Sequence, residues 1–293
     1  MSSKKKCINC GLLIDDDLDK CPYCGSSQDV KNKKYEDETD YVEIIKDEKP
    51  VEKTTHFLGN GQKLSIKKQI WFFILGLVII NAISSIYVLI CNFISPGFLN
   101  TDLFSLIGNC GIYTLIFFIF LLIANKDLKL LFKKFTKGRT YLFGIGYGLL
   151  IIIFSLIYSM ITQLIYNGAG DNINQSAIVQ LTSAYPISSI IVLGIIGPIC
   201  EEFTYRVGLF GLIRRKTKVL AYVIVGIIFG LIHFNFGPGI DMINELLQLP
   251  EYIITGLLLC YIYDKEGVET SIVAHCLNNL TSLIIIVINV YAK

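Results

Sequence analysis

The sequence predicts an all-α polytopic membrane protein with about seven transmembrane helices, preceded by a small N-terminal zinc ribbon. Hydrophobic residues make up 53% of the 293 residues and charged residues only 17%, which is too apolar for a soluble globular protein. After Lys68 the chain consists of long apolar segments separated by short polar ones. Before Lys68 it is polar and carries two pairs of cysteines. The net charge of +2 gives no overall attraction to nucleic acid, so we expect no nucleic-acid partner.

The cysteine pairs predict a metal site at the N-terminus. Cys7 and Cys10 form one C-x-x-C pair, and Cys21 and Cys24 form a second pair ten residues further along. Four thiolates at this spacing can surround one Zn²⁺ tetrahedrally, and such a site is structural because no position stays open for a substrate. A pair of disulfides is the alternative, but it requires an oxidising compartment. We predict a zinc ribbon over residues 1–27, similar to those at the N-termini of many bacterial membrane proteins.

Residues 28–66 are predicted to be a charged flexible linker. Lys, Asp and Glu dominate much of this segment, and mixed charge with few apolar groups cannot bury enough surface to fold. A charged docking tail is the alternative interpretation.

Residues 67–293 are predicted to form the transmembrane domain. Its apolar segments are long enough to span a bilayer. Lys and Arg cluster in the second and fourth loops and are missing from the first, third and fifth. The positive-inside rule then places the N-terminus and the even loops in the cytoplasm and the C-terminus outside. We expect the membrane to be the plasma membrane of a bacterium. The predicted spans are approximately 70–94, 102–124, 141–166, 187–211, 219–236, 248–263 and 268–290.

Three ionisable residues occur together in the predicted fourth span: Glu201, Glu202 and Arg206. Charges inside a spanning helix are costly, so each of these residues is a candidate for a functional role. Glu202 and Arg206 are four residues apart, which places them on one helix face where they can form an ion pair. Glu201 points about 100° away from Glu202 and lacks that partner. Its carboxylate is therefore available for chemistry, in an environment that the facing helices supply.

Two histidines and an asparagine lie at similar predicted depths. His233 ends the fifth predicted span, whereas His275 and Asn279 are four residues apart on one face of the seventh. At 1.5 Å per residue, Glu202, His275 and His233 lie ~18, ~15 and ~22 Å from the cytoplasmic boundary. We therefore predict one shared cavity. Any one of these residues could instead hold helices together by hydrogen bonding, but their convergence favours a functional site.

These residues make up three motifs that resemble those of the CAAX-protease and bacteriocin-processing family, known as CPBP or Abi, which includes the type II CAAX prenyl endopeptidase. The motifs E-E-x-x-x-R, F-x-x-x-H and H-x-x-x-N correspond to residues 201–206, 229–233 and 275–279. All three are complete and occur in this order within residues 187–285. The zinc ribbon and the first three predicted helices lie outside the resemblance.

The resemblance implies an intramembrane endopeptidase of the glutamate type, with six site residues that act in pairs. One pair activates a water molecule, a second stabilises the oxyanion, and a third supports the site. By position, these pairs are Glu201 with His233, His275 with Asn279, and Glu202 with Arg206.

A metal-dependent mechanism is the alternative within the same family. Two histidines and one glutamate can hold a catalytic zinc ion, and the second glutamate would then be the base. Arg206 beside the carboxylates argues against an additional cation, so we favour metal-free hydrolysis. The structural Zn²⁺ of the ribbon is thus the one cofactor predicted, and an active-site metal is left open.

Two other functional classes can use buried acids and histidines. A proton-coupled transporter is one, although no internal repeat is evident in the sequence. A catalytically idle immunity or scaffold protein is the other, and the complete motifs argue against it. For the protease, we expect the lipid bilayer and a membrane-associated, prenylated or other peptide substrate as partners, and peptide maturation is the preferred role. The ribbon could also recruit a protein partner.

Overall fold

The computed structural model describes residues 4–7, 12–24, 26–28, 55–58, 62–166, 169–237 and 239–292. The chain divides into two compact units, Met1–Lys53 and Thr54–Lys293. The described part is almost entirely helical outside a few short strands. This agrees with the predicted fold class.

The described part of the N-terminal unit contains a short hairpin. Strand β1, Lys4–Lys6, pairs antiparallel with β2, Leu13–Asp15. A single bridge joins Lys20 to Ser27 beyond the hairpin. Cys7, Ile14 and Cys21 are buried together and form the small core of this unit.

The second unit begins with a hairpin rather than with a flexible linker. Strand β3, Thr55–Leu58, pairs antiparallel with β4, Gln62–Ser65. The linker predicted over residues 28–66 is therefore wrong at its C-terminal end, where Thr, Phe and Leu favour extended backbone. The middle of that predicted linker, residues 29–54, lies outside the described residues.

Six helices in the described part of the chain are long and apolar enough to cross a membrane. They coincide with six of the seven predicted spans. Two shorter helices, α4 (Ile173–Ala184) and α6 (Lys218–Leu231), complete the helical unit. The six long helices are α1 (Ile66–Ile94), α2 (Asp102–Leu131), α3 (Gly138–Ile165), α5 (Pro186–Arg214), α7 (Met242–Glu266) and α8 (Val268–Tyr291).

The predicted fifth span, 219–236, corresponds to the short helix α6. With 14 residues, α6 falls below the roughly 18 residues that a full span needs. It ends at Leu231 because the following residues include His233, Asn235 and Gly237, which are poor helix formers. His233 therefore lies in the turn after α6, not within a helix as predicted.

Glycine allows the helices around α8 to pack closely. Helix α8 packs against α3 and α7, and α6 packs along α7. A Cβ atom at Gly148 of α3 would lie 3.1 Å from the carbonyl oxygen of Ala274 and 2.9 Å from the side chain of Leu277. Only a residue without a side chain fits this contact. The resulting close approach brings α8 into the centre of the helical unit.

Candidate active site

Helix α5 departs from regular α-helical geometry where the acidic motif lies. Residues Glu202–Phe210 form a π-helical segment, directly after the α-helical turn Gly197–Glu201. Such segments occur frequently at functional sites because they alter the direction in which side chains project. All nine residues of the segment are buried.

Glu202 is the centre of a buried polar network. Its carboxylate lies 3.2 Å from Nη1 of Arg206, and neither side chain is exposed. The hydroxyl of Ser271 donates to Oε2 at 2.6 Å, and Nδ1 of His275 lies 2.9 Å from Oε1. Thus the structure contains the ion pair expected from the spacing of Glu202 and Arg206. Both oxygens of this carboxylate are therefore already bonded.

The Arg206 side chain packs against an aromatic ring. Its Cζ atom lies 4.4 Å from the centre of the Phe229 ring, a distance at which a cation and an aromatic face attract each other. Phe229 in turn packs against Gly256 of α7, where a Cβ atom would lie only 2.9 Å from that of Phe229. The first residue of the F-x-x-x-H motif thus covers the buried ion pair.

Glu201 has different surroundings from its neighbour. Its side chain is 15% exposed, and Oε2 lies 3.6 Å from Nε2 of His275. The hydroxyl of Tyr113, on α2, lies 3.5 Å from Oε1 and can donate to it. No Lys or Arg pairs with Glu201 among the described residues. The partition between a paired and an unpaired glutamate therefore matches the expectation from helical spacing.

The hydrogen bonds of the two histidines determine which ring nitrogen is free. Nδ1 of His233 lies 2.7 Å from the carbonyl oxygen of Phe229, which can only accept, so Nδ1 carries the proton. Nε2 of the neutral ring is then an acceptor. Nδ1 of His275 faces the carboxylate of Glu202, which leaves Nε2 directed towards Glu201. The ring of His233 also stacks on Tyr252, with centroids 4.4 Å apart and an angle of 9°.

Asn279 lies one helical turn after His275 on α8. Its amide nitrogen donates to the carbonyl oxygen of Leu193 at 3.2 Å, and its amide oxygen faces Nδ2 of Asn278 at 3.3 Å. An amide nitrogen carries two hydrogens, so one remains available for another acceptor.

A cavity of about 430 Å³ connects these groups. Glu201, His233, His275 and Asn279 line it, whereas Glu202 and Arg206 lie behind its wall and are fully buried. The other walls come from α3, α4, α7 and α8. The structure thus brings together the four residues to which the resemblance gives chemical roles, and places the two supporting residues next to them.

Sequence reasoning missed three residues of this cavity. Tyr113 and Tyr252 contact Glu201 and His233, but a tyrosine in an apolar helix gives no signal of its own. Glu251 lies within the predicted span 248–263, so the rule that intramembrane charges are functional could have identified it.

The N-terminal cysteines form the one group of three or more His, Cys, Asp or Glu ligand atoms that could hold a metal within the described part of the chain. The sulfur atoms of Cys7, Cys21 and Cys24 lie within 4.8 Å of one another. Cys10, the fourth predicted ligand, lies outside the described residues. Three thiolates at these distances can bind a metal ion, which is consistent with a small metal site in this unit.

The helical part of the site matches a known protein family. The model of the type II CAAX prenyl endopeptidase Rce1-like family matches residues 183–281. Residues 183–281 of the chain are thus similar to a domain of this family. The matched range contains the six predicted site residues, from Glu201 to Asn279. The resemblance inferred from the three motifs is therefore confirmed.

Relatives of the chain include bacterial membrane proteases. YdiL of Bacillus subtilis, which is named as a membrane peptidase, is 28% identical over 226 residues, covering 73% of this chain and 87% of YdiL. The membrane-embedded CAAX protease MroQ of Staphylococcus aureus is 26% identical over 139 residues, covering 44% of this chain and 51% of MroQ. An uncharacterized protein of Mycoplasma capricolum is 25% identical over 173 residues, covering 55% of this chain and 49% of that protein.

The chain thus spans about half the length of two of these relatives and most of YdiL. No solved structure matches the chain. The matched family is one of endopeptidases and two of these relatives are named as membrane proteases, while the six apolar helices of this chain are consistent with a membrane protein.

Proposed function

We propose that the protein is an intramembrane endopeptidase in which Glu201 and His233 activate a water molecule. The observation that carries this proposal is the difference between the two adjacent glutamates. Glu202 is saturated by Arg206, Ser271 and His275, whereas Glu201 faces the cavity and pairs with no Lys or Arg among the described residues. A carboxylate that no Lys or Arg holds in an ion pair can accept a proton.

In the proposed mechanism, water binds between the carboxylate of Glu201 and Nε2 of His233. As the water oxygen attacks the scissile carbonyl carbon, its proton passes to Glu201. The carbonyl oxygen becomes an oxyanion, which takes hydrogen bonds from the second amide hydrogen of Asn279 and from Nε2 of His275 when that ring is protonated. Glu201 then gives its proton to the departing amine, and the peptide bond breaks.

Supporting residues hold this arrangement in place. The Glu202 carboxylate fixes the ring of His275 through Nδ1, and Arg206 balances the buried negative charge. Tyr252 holds the plane of His233 by stacking. Fixed orientation matters because a hydrogen-bond donor stabilises a transition state best when it does not have to reorganise.

The metal-dependent alternative uses the same residues differently. It would require His233, His275 and one glutamate to share an ion. Glu202 already pairs with Arg206, and the guanidinium would repel a second cation nearby. These contacts support the glutamate mechanism over a metalloprotease.

The remaining parts of the proposal concern organisation and substrates. We assign residues 1–27 to a zinc ribbon whose structural Zn²⁺ is held by Cys7, Cys10, Cys21 and Cys24. Residues 67–293 form the peptidase domain, with the N-terminus in the cytoplasm of a bacterial cell. The proposed substrates are membrane-associated peptides, of which prenylated chains are one class, and maturation of such peptides is the proposed role.

Two substitutions test the activity. In membranes that contain the full chain, Glu201→Gln and His233→Ala should each reduce cleavage of its peptide substrates by about 10²- to 10⁴-fold, the range expected when a general base is lost. Comparison of membrane-peptide profiles by mass spectrometry is the measurement. Glu266→Gln, which alters only a weak ion pair with Arg139 at 3.9 Å, is the matched control.

Two results would contradict the protease function. If the peptide profiles of both variants equal that of the wild type, while the wild type moves protons or a solute across the membrane, the transporter interpretation replaces it. If neither activity is present, the chain is a binding protein.

A further inference from the structure

Helix α7 contains a carboxylate that the proposed mechanism does not use. Glu251 lies near the middle of the apolar helix Met242–Glu266, and its side chain is partly buried. Moving a charged group into a membrane is costly, so an acid at this position requires a compensating function. Glu251 lines the same cavity as Glu201 and His233.

Glu251 has no cationic partner among the described residues. No ion pair within 4.0 Å includes it, in contrast to Glu202 and its partner Arg206. The cavity lining contains the carboxylates of Asp171, Glu201 and Glu251 but no Lys or Arg. No Lys or Arg of the cavity lining therefore balances the charge of Glu251, and a cationic group of a bound molecule can do so.

The face of α7 that carries Glu251 adjoins the proposed reacting groups. Gln248, Glu251, Tyr252 and Thr255 share this face and all line the cavity. Tyr252 stacks on His233, so this face lies next to a group of the proposed mechanism. Glu251 directly precedes Tyr252 in the sequence, so its carboxylate is presented to a part of the substrate close to the scissile bond.

We propose that Glu251 is a specificity-determining residue that pairs with a Lys or Arg side chain of the substrate close to the scissile bond. The inference rests on the proposed peptidase function and names its substrate class: peptides with a basic residue next to the cleaved bond. Transfer from water into the cavity costs less free energy for a substrate cation that pairs with Glu251 than for an unpaired cation. A neutral peptide would leave the carboxylate without a cationic partner.

The test uses the full chain in lipid vesicles with a library of palmitoylated peptides that differ only near the cleavage site. Each position within three residues of the cleaved bond carries Lys, Gln or Glu in turn, and mass spectrometry measures the products. We expect the wild type to cleave the best Lys peptide about tenfold faster than its Gln counterpart. Glu251→Gln should abolish this preference while cleavage of the neutral peptides stays within about twofold. Glu251→Lys should transfer the preference to Glu peptides.

A binding measurement separates specificity from catalysis. In the Glu201→Gln background, the Lys peptide should bind about tenfold more tightly than the Gln peptide, and adding Glu251→Gln should remove the difference. Glu266→Gln, at the far end of the same helix, is the matched control and should leave the preference unchanged.

Two outcomes overturn the inference, and they can be told apart. If the wild type cleaves peptides without regard to charge, or if its preference for Lys survives Glu251→Gln, then Glu251 does not select the substrate although the peptidase function stands. If the wild type cleaves none of the peptides and binds Lys and Gln peptides equally, both the specificity and the peptidase function fail.

Discussion

Glu201 and Glu202 are chemically identical and adjacent, yet the fold gives them different environments. One carboxylate bonds to an arginine, a serine and a histidine in a fully buried network. The other faces a cavity beside the same histidine, His275. Spacing in the sequence predicts the first contact because residues four apart share a helix face. The serine and the histidine come from another helix, so only the tertiary structure shows them.

The hydroxyl of Tyr113 is the strongest candidate for an additional positioning group. It is the one side-chain donor of the second membrane helix that reaches Glu201, at 3.5 Å, among the described contacts. Replacing Tyr113 with Phe removes this hydrogen bond and leaves the ring in place. Because a hydrogen bond to a charged group is worth roughly 1.5–3 kcal/mol and this one is long, we expect kcat/KM to fall about fivefold to tenfold.

Steady-state kinetics on a cleaved peptide should show that the Tyr113→Phe loss falls on kcat rather than on KM. A purely structural role would instead lower the Tm without changing the ratio of the two constants. Tyr141→Phe is the matched control, because Tyr141 lies on the exposed surface of α3, away from the cavity. An unchanged kcat in Tyr113→Phe would contradict a role for the hydroxyl.

Helix boundaries and helix geometry differ in how well the sequence predicts them. Apolar length places the six long helices correctly because the bilayer sets the length. It does not predict the end of α6 at Leu231, since polar and glycine residues there stop the helix before the apolar pattern ends. The π-helical segment Glu202–Phe210 is also absent from the pattern, since its hydrogen bonding depends on how α5 packs against its neighbours.

Gly256 shows how contact between two helices controls the site. An added Cβ would lie 2.9 Å from the Cβ of Phe229 and 3.1 Å from its ring. Gly256→Ala should therefore displace Phe229 from Arg206 and destabilise the protein by about 1–3 kcal/mol, the usual cost of overpacking. Activity should fall together with the Tm, and both can be measured in detergent.

Gly146→Ala is the matched control for this contact. Gly146 lies in the membrane-spanning helix α3, and nothing lies within 4 Å of a Cβ added there. Alanine has the higher helix propensity, so this variant should keep or slightly raise the Tm. Equal stability and activity in the two variants would contradict the positioning role of the contact between Gly256 and Phe229.

At the scale of the whole molecule, the two units require different kinds of stabilisation. The helical unit buries a large apolar core, whereas the apolar core among the described residues of the N-terminal unit consists of Cys7, Ile14 and Cys21 with one neighbouring leucine. So small a core cannot offset the entropy of folding, and a bound metal is the usual remedy in domains of this size. The cysteine spacing predicts this site from sequence alone because the chemistry of zinc restricts both ligand type and number.

Metal content therefore distinguishes the two units and also the two possible mechanisms. In the full chain, we expect one zinc ion per molecule, bound by the N-terminal cysteines. The double variant Cys7→Ser/Cys21→Ser should lose that ion, as measured by mass spectrometry of the metal in purified protein, while peptide cleavage in the membrane remains within about twofold. Cys110→Ser, in α2, is the matched control and should keep the ion, because that cysteine lies in an apolar cluster of the helical unit.

If the double variant still holds one equivalent of zinc, and if Glu201→Gln or His233→Ala removes it, the helical site is a metal centre and the glutamate mechanism is wrong. Loss of both zinc and cleavage on mutation of the cysteines alone would instead indicate that the N-terminal unit is needed for activity.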